Sequence, residues 1–484
     1  MSEKVRKNIF GACPIGSRRP WEYYNLIIMN RGAEMTTNSI GAAVLLGLPI
    51  AAFGQDRPNI IYIMTDQQCA TAMSCAGNGD LSTPAMDRLA EHGVRFTNAY
   101  CAFPLSGPSR ACMFTGLMPS ESGVIENEMP LPEGLRSSTL GSLMAEGGYD
   151  CVYAGKWHVN TPTIPDKEFG FKIIKDNGDA GLSEACVDWL RSRDSSEPFF
   201  LVASYINPHN ICEFARGQKT PHASVAPAAT EDCPGLPANF TIAPFDATVL
   251  QMEKRQSYAL YPCVDFTPDD WRQYRHAYYR LVEAVDAEIG KIVDEIDRQN
   301  LWENTVIIFT SDHGDGTGAH QWNQKTALYE EVVNVPMIVC LPGGKNAGDV
   351  TEALVNNGID LMASICDWAG VEVPSGRSGI SYRNVAEDGA AGQEFIVTET
   401  NFNQTAGTVG WMVRTEKYKY VLYDKGKYRE QLFDMTCDRG EMVNLAVEAK
   451  YFGILSQHRA ILRAWIDSHK PGTGYAKILK VLMD

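Results

Sequence analysis

The chain has 484 residues, of which 44% are hydrophobic, 21% charged and 10% aromatic. This is a globular composition, and it excludes a disordered tail, a collagen-like fibre and a small disulfide scaffold. The 43 basic and 59 acidic side chains leave a net charge of -16. A surface of that sign repels polyanions at long range, so nucleic acid is not an expected partner, although a locally basic pocket remains open.

The first landmark is the apolar run Gly41 to Phe53, GAAVLLGLPIAAF, with Ala52 and Gly54 as small residues before Gln55. It falls short of the ~20 residues that span a bilayer. It fits the apolar core and cleavage site of a secretory signal peptide, with a buried helix as the alternative. Met29, which brings in Arg31 as a positive flank, or Met35 would serve as the start. Residues 1–54 are therefore read as an extension with a signal peptide. The run holds no cysteine, so neither a lipid anchor nor a transmembrane anchor is expected.

The folded pattern begins at Arg57. Asn59 to Met64 (NIIYIM) is a continuous apolar run that ends at Thr65-Asp66, as expected of a strand buried on both faces. Thr83 as N-cap and Pro84 at the first helical position open a helix that stops at Gly93. A helix over Leu140 to Glu146 leads to a strand over Cys151 to Ala154. A helix over Ala185 to Arg193 leads to a strand over Phe199 to Tyr205. Residues 217–249 are rich in Pro, Ala and Thr with weak periodicity, which suggests a long loop at a substrate mouth. A long helix is predicted over Asp269 to Gln299, then strands over Thr305 to Thr310 and Pro336 to Leu341.

This alternation predicts an α/β fold, with a large, mainly parallel sheet sandwiched by helices. Functional groups should gather at the C-terminal strand ends. The polar residues there are Asp66, Lys156, His209 and Asp312. After about residue 385 the texture changes. Short strands are predicted at Phe395 to Thr398, Trp411 to Arg414, Tyr418 to Leu422 and Gln431 to Phe433, with a closing helix over Phe452 to His469. The expected organisation is an extension (1–54), a catalytic domain (55–385) and a smaller C-terminal α+β subdomain (386–484). The 13 cysteines include no C-x-x-C pair, so neither a zinc site nor a redox motif is indicated; buried free thiols are expected.

The segment Pro104 to Gly116, PLSGPSRACMFTG, carries the chemistry. A turn followed by a short helix would set Ser106 at a helix N-terminus, where backbone N–H groups and the macrodipole favour an anion. Arg110 lies one turn further and can reach back to the same spot.

This segment resembles the signature of the type I sulfatases of the alkaline-phosphatase-like superfamily. That signature is Cys or Ser, any residue, Pro-Ser-Arg, two residues, a hydrophobic residue, two more and Gly. Here Met113 takes the hydrophobic position, where Leu is usual. The resemblance continues through GYDCVYAGKWH (148–158), SDHGD (311–315), KTALYEE (325–331) and GEMVNLA (440–446). It extends over nearly the whole chain from residue 57.

The resemblance implies that Ser106 is converted to formylglycine (3-oxoalanine), whose hydrate is the nucleophile. It implies metal ligation by Asp66, Gln67, Asp312 and His313, with residue 106 at the ion. The oxygens suit Ca²⁺, and the histidine nitrogen leaves Mn²⁺ or another divalent ion open. Many relatives have Asp where Gln67 stands and Asn where His313 stands. Lys156 and Lys325 match sulfate-contacting lysines. His158 matches the residue bonded to the formylglycine hydroxyl, and His209 the one that protonates the leaving oxygen, although Ile211 stands where Pro is frequent. Arg110 is the arginine of the signature. His320 is placed near the pocket, either as a substrate contact or in a structural role.

The leading expectation is an exported sulfatase acting on a sulfated carbohydrate, such as a glycosaminoglycan fragment. A phosphonate monoester or phosphodiester hydrolase of the same superfamily is the alternative. A non-catalytic glycan-binding relative would need a lost nucleophile or ligand, and all are present. Serine at position 106 further resembles sites modified by a radical S-adenosylmethionine maturase. That implies a bacterial protein, periplasmic or secreted.

Overall fold

The computed structural model describes residues 57–159, 167–193, 197–221, 225–256, 262–402 and 407–469. The expected extension and signal run lie outside them. From Arg57 onward, the described residues group as one compact unit.

The main sheet has eight strands: β1 (Asn59–Asp66), β2 (Gly93–Tyr100), β3 (Asp150–Gly155), β4 (Lys172–Lys175), β5 (Phe199–Pro208), β6 (Thr305–Ser311), β7 (Met337–Cys340) and β8 (Val350–Asn356). Their spatial order is β4-β3-β5-β1-β6-β7-β2-β8. Pairs along β4-β3-β5-β1-β6 are parallel, as are β2 and β8. Only β7 runs antiparallel, against both of its neighbours. The sheet is thus mainly parallel, as expected.

Side-chain alternation sorts β1 into two cores. Ile60, Tyr62 and Met64 face the helices Ser106–Thr115, Leu140–Glu146 and Ile359–Ala369. Ile61 and Ile63 face the long helix Pro268–Arg298, which contributes Tyr274, Tyr278 and Val285. A strand apolar at every position is the consequence of helices on both faces. The long helix opens with a capping box, in which Thr267 Oγ1 accepts from Asp270 N at 3.2 Å and Asp270 Oδ2 accepts from Thr267 N at 2.8 Å.

A second, antiparallel sheet has four strands: β9 (Phe395–Phe402), β10 (Thr408–Thr415), β11 (Tyr418–Tyr423) and β12 (Glu430–Asp434). Trp411, Val413, Tyr420 and Leu422 pack with Leu455, Leu462 and Trp465 of the helix Phe452–His469.

Thr83 stands at the N-cap of Pro84–His92 and Pro84 at the first helical position, as expected, but Thr83 makes no side-chain cap bond; its Oγ1 accepts from Ser74 N at 2.9 Å instead. The open N–H groups of Ala85 and Met86 are taken by the Asp286 carboxylate at 3.1 and 2.9 Å. All the described cysteines are unbridged, and all but Cys75 and Cys437 are buried. No described helix is long and apolar enough to cross a membrane.

Candidate active site

Four adjacent parallel strands, β3, β5, β1 and β6, end on one edge of the sheet. Each delivers a polar residue at or just past its end: Lys156, His209, Asp66 with Gln67, and Asp312 with His313. The helix Ser106–Thr115 brings its N-terminus to the same place. Leu105 before it is extended, and every residue of the helix is buried.

The Pro-Ser-Arg signature is the tie between this helix and the strand ends. Ser109 Oγ donates to the Asp312 carbonyl at 2.6 Å. Arg110 Nε donates to Asp312 Oδ2 at 2.8 Å and Nη2 to Asp66 Oδ2 at 3.0 Å. Its Nη1 donates to the Lys156 carbonyl and to Ser204 Oγ, both at 2.8 Å. Its partners are thus the two carboxylates, the Lys156 carbonyl just past β3 and Ser204 within β5, and Ser106 is not among them.

Ser106 Oγ lies 3.3 Å from both Asp66 oxygens and 3.0 Å from His313 Nε2. His313 Nδ1 lies 2.9 Å from the Gly314 carbonyl, which assigns the ring proton to Nδ1 and leaves Nε2 as a lone pair facing the site. One donor atom from each of Asp66, Asp312 and His313 lies within 4.8 Å of the others, and all three residues are buried. Two carboxylates, an imidazole nitrogen aimed inward and the Gln67 amide oxygen form a donor set that fits a divalent cation.

Cationic groups surround this acidic centre. Lys156 Nζ contacts Asp66 Oδ2. Lys325 Nζ donates to Gln67 Oε1 at 3.1 Å. Burial works to raise the Asp66 carboxyl, yet Lys156, His209, Arg110 and His313 carry it well below the usual carboxylate range. Burial, then the Lys325 and Lys156 ammonium groups, holds the His209 imidazole well below its ordinary value. Burial, then Lys156, pushes His158 down to about 2. His158 Nε2 lies 3.1 Å from Glu128 Oε1, and His158 Nδ1 has no hydrogen-bond partner among the described residues.

Three residues that carry or adjoin the site, Gln67, His158 and Thr326, have left-handed backbone, with φ of 69°, 54° and 72°. For residues other than glycine this costs about 1–3 kcal/mol each and persists where the surroundings enforce it.

His320 belongs elsewhere. Its ring is 1% exposed and stacks on Tyr329, with centroids 4.2 Å apart. It shares a second group of potential ligand atoms with half-buried Glu331 and buried Glu441. Of the two roles the sequence leaves open, this setting supports the structural one, because a ring so covered has no face for a substrate.

Sequence reasoning passed over Asp315, Ser204, Asn127 and Glu128. Asp315 and Ser204 hold site residues in place. Asn127 Oδ1 accepts from Gly107 N at 3.0 Å, beside Ser106. Asp315 lies inside a recognised motif, whereas the other three carry no local signal.

The family profile described as Sulfatase matches residues 58–177 and 160–371, and that described as N-sulphoglucosamine sulphohydrolase, C-terminal, matches 318–467. The chain is 32% identical over 443 residues to a Delta 4,5-hexuronate-2-O-sulfatase of Bacteroides thetaiotaomicron, covering 87% of this chain and 91% of the relative. It is 28% identical over 475 residues to an N-acetylglucosamine-6-O-sulfatase of the same organism, covering 82% and 84%. The solved structure of a 2-O GAG sulfatase superposes with a TM-score of 0.74 at 29% identity, covering 86% of this chain and 93% of that one. With the profile spanning the strand ends and the Ser106 helix alike, this chain belongs to the sulfatase family, a family of sulfuric ester hydrolases.

Proposed function

We propose that this chain hydrolyses sulfate monoesters of a carbohydrate, and that Ser106 acts after conversion to formylglycine. The observation that carries the reading is the seat of Ser106. It lies buried at a helix N-terminus, within 3.3 Å of Asp66 and 3.0 Å of His313, in a centre that also holds Lys156 and Lys325.

The hydrated aldehyde holds two hydroxyls. One, having lost its proton to solvent, attacks sulfur, the bond from sulfur to the sugar oxygen breaks, and that oxygen takes a proton from His209. The second hydroxyl then gives its proton to the His209 so left neutral, the C–O bond to the sulfate breaks, the aldehyde re-forms, and water hydrates it again. A plain serine would stop at a stable sulfate ester. His158 hydrogen-bonds the hydrate in this reading. Lys156 and Lys325 hold the sulfate oxygens. His209 gives that proton as an imidazolium, a form that the negative charge of a bound sulfate favours. Arg110 is a positioning residue that fixes the two carboxylates.

A divalent cation held by Asp66, Gln67, Asp312 and His313 supplies positive charge that neutralises sulfate oxygens and acidifies the hydrate. Ca²⁺ is the ion proposed, and Mn²⁺ is the alternative that the His313 nitrogen suits.

The named activities of the relatives favour a glycosaminoglycan fragment, with a uronate 2-O-sulfate ahead of an N-acetylhexosamine 6-O-sulfate. The run Gly41 to Phe53 favours export to the bacterial periplasm or beyond. The serine at 106 favours a radical S-adenosylmethionine maturase as partner. The division into 1–54, 55–385 and 386–484 is part of the same proposal. The pairing of Gln67 with His313 favours the second reading, a phosphonate monoester or phosphodiester hydrolase.

The test is mass spectrometry of the tryptic peptide Phe96 to Arg110 from protein made in its native host or beside a serine-type maturase. Loss of two hydrogens with aldehyde-specific labelling is expected, followed by turnover on sulfated disaccharides rather than on phosphonate esters. Unmodified serine in active native protein would overturn the hydrate mechanism.

A further inference from the structure

An amide ligand has a difficulty that a carboxylate lacks. Its two ends differ in polarity, and only the oxygen can bind a cation. Gln67 is fully buried, so water cannot sort the ends. Its Nε2 donates to Asp315 Oδ2 at 2.7 Å, while Oε1 accepts from Lys325 Nζ at 3.1 Å. Turning the amide over would set its oxygen against a carboxylate and its N–H groups against an ammonium. Cys212 Sγ, 3.6 Å from both amide atoms, does little to tell them apart.

Asp315 is itself held. It is 0% exposed, and Oδ1 accepts from Thr317 N at 2.7 Å. The Tyr274 hydroxyl lies 3.0 and 2.9 Å from its two oxygens. The Gln67 backbone is fixed by other groups: its N–H donates to Asp312 Oδ1 at 3.1 Å, and its carbonyl accepts from Tyr278 Oη at 2.8 Å. The backbone and the amide are therefore set separately.

We propose that Asp315 is a positioning residue that turns the Gln67 amide so that its carbonyl oxygen faces a divalent cation held with Asp66, Asp312 and His313. The inference rests on reading those residues as cation ligands. In the D315N variant the amide at 315 can keep its bond from Thr317 N only by turning its own N–H groups toward Gln67, which favours the reversed amide. A carboxylate at 67 has oxygen at both ends and needs no such sorting. Beside Asp315, however, it faces a second carboxylate.

The experiment titrates the full chain, made without a maturase and stripped of metal, with CaCl₂ by calorimetry. The proteins compared are wild type, D315N, Q67E and Q67E/D315N. Removing an outer partner of a metal ligand typically weakens affinity about 10–100-fold. D315N should therefore bind about tenfold or more weakly than wild type, and the same substitution should strengthen binding in the Q67E background. That reversal of sign is the readout, because a merely structural role would weaken both. Equal affinity of D315N and wild type, or weakening by D315N in both backgrounds, overturns the proposal. If D315N alone does not fold, the comparison of Q67E with Q67E/D315N decides. Loss of fold in both backgrounds assigns Asp315 to stability and overturns it too. A wild-type chain that binds no divalent cation fails at the first titration, and that result overturns the ligand reading itself.

Discussion

Arg110 Nε meets Asp312 Oδ2 at 2.8 Å with both side chains wholly out of water. The same guanidinium reaches Asp66 at 3.0 Å, so one cation bridges the carboxylates at the ends of two neighbouring strands. Buried ion pairs gain little net stability, but removing one partner leaves an uncompensated charge in low dielectric.

Arg110→Ala should therefore lose about 3–5 kcal/mol of stability as well as turnover. Arg110→Lys keeps the charge but not the planar fork that serves four acceptors. It should recover part of the stability and little of the activity. Denaturant midpoints set beside turnover on one sulfated disaccharide separate the two effects. An Arg110→Lys variant with wild-type turnover would show that charge alone suffices.

His209 stands just past β5, where burial, then the Lys325 and Lys156 ammonium groups, depress its pKa. In the proposed mechanism it protonates the departing oxygen, and so should matter in proportion to how poorly that oxygen leaves. His209→Ala should lower kcat on a sugar sulfate about 10²–10⁴-fold, the usual range for a general acid. On nitrophenyl sulfate, whose phenolate leaves without help, the loss should be far smaller. Equal losses on the two substrates would remove His209 from the acid role.

How much of this was legible in the sequence differs from element to element. NIIYIM reads as a central strand because burial on both faces leaves no polar position to interrupt it. By contrast, β2 (GVRFTNAY) and β8 (VTEALVN) mix polar and apolar residues and were not predicted. Nothing within β7 encodes that it runs against its neighbours; that follows from how the chain returns to the sheet. Asp66, Lys156, His209 and Asp312 could be anticipated at strand ends, where a parallel sheet gathers function. Glu128 meeting His158, and Asp286 capping a helix about 200 residues earlier, arise from tertiary contact alone. Gly93 as the end of the helix Pro84–His92 was legible; Thr83 as its working cap was not.

Asp66, Asp312 and His313 crowd their donors within 4.8 Å. Bringing in a divalent cation should stabilise the folded chain by simple linkage. At a concentration of 100 times Kd the gain is about 2.7 kcal/mol. A chelator should accordingly lower Tm, and CaCl₂ should restore it. Asp312→Asn, which keeps the shape and removes one charge, should abolish the cation-dependent part of the shift. A Tm indifferent to chelator and to Ca²⁺ in the wild type would count against a cation at these residues.

Glu399 lies in β9, fully buried, where it accepts from Ser120 N at 3.0 Å and Ser120 Oγ at 2.6 Å. Burial pushes its carboxyl up from 4.5 to about 7. The folded chain therefore binds this proton more tightly than the unfolded one, whose Glu titrates near ~4.3. Between those two values the folded state carries the extra proton, so stability falls as pH rises through the window from about 4.5 to 7 and then levels off. Each unit of difference is worth about 1.4 kcal/mol. Glu399→Gln imitates the protonated acid and still accepts from Ser120. It should match the wild type at about pH 4 and exceed it at pH 8 by about 1–3 kcal/mol. Asp360 and Glu441, which burial raises to about 7 and about 8, titrate in the same direction. They are present in both proteins, so the difference between the two pH profiles of the urea midpoint isolates Glu399. Parallel profiles would mean that the two Ser120 bonds keep this carboxylate ionised and that burial does not prevail here.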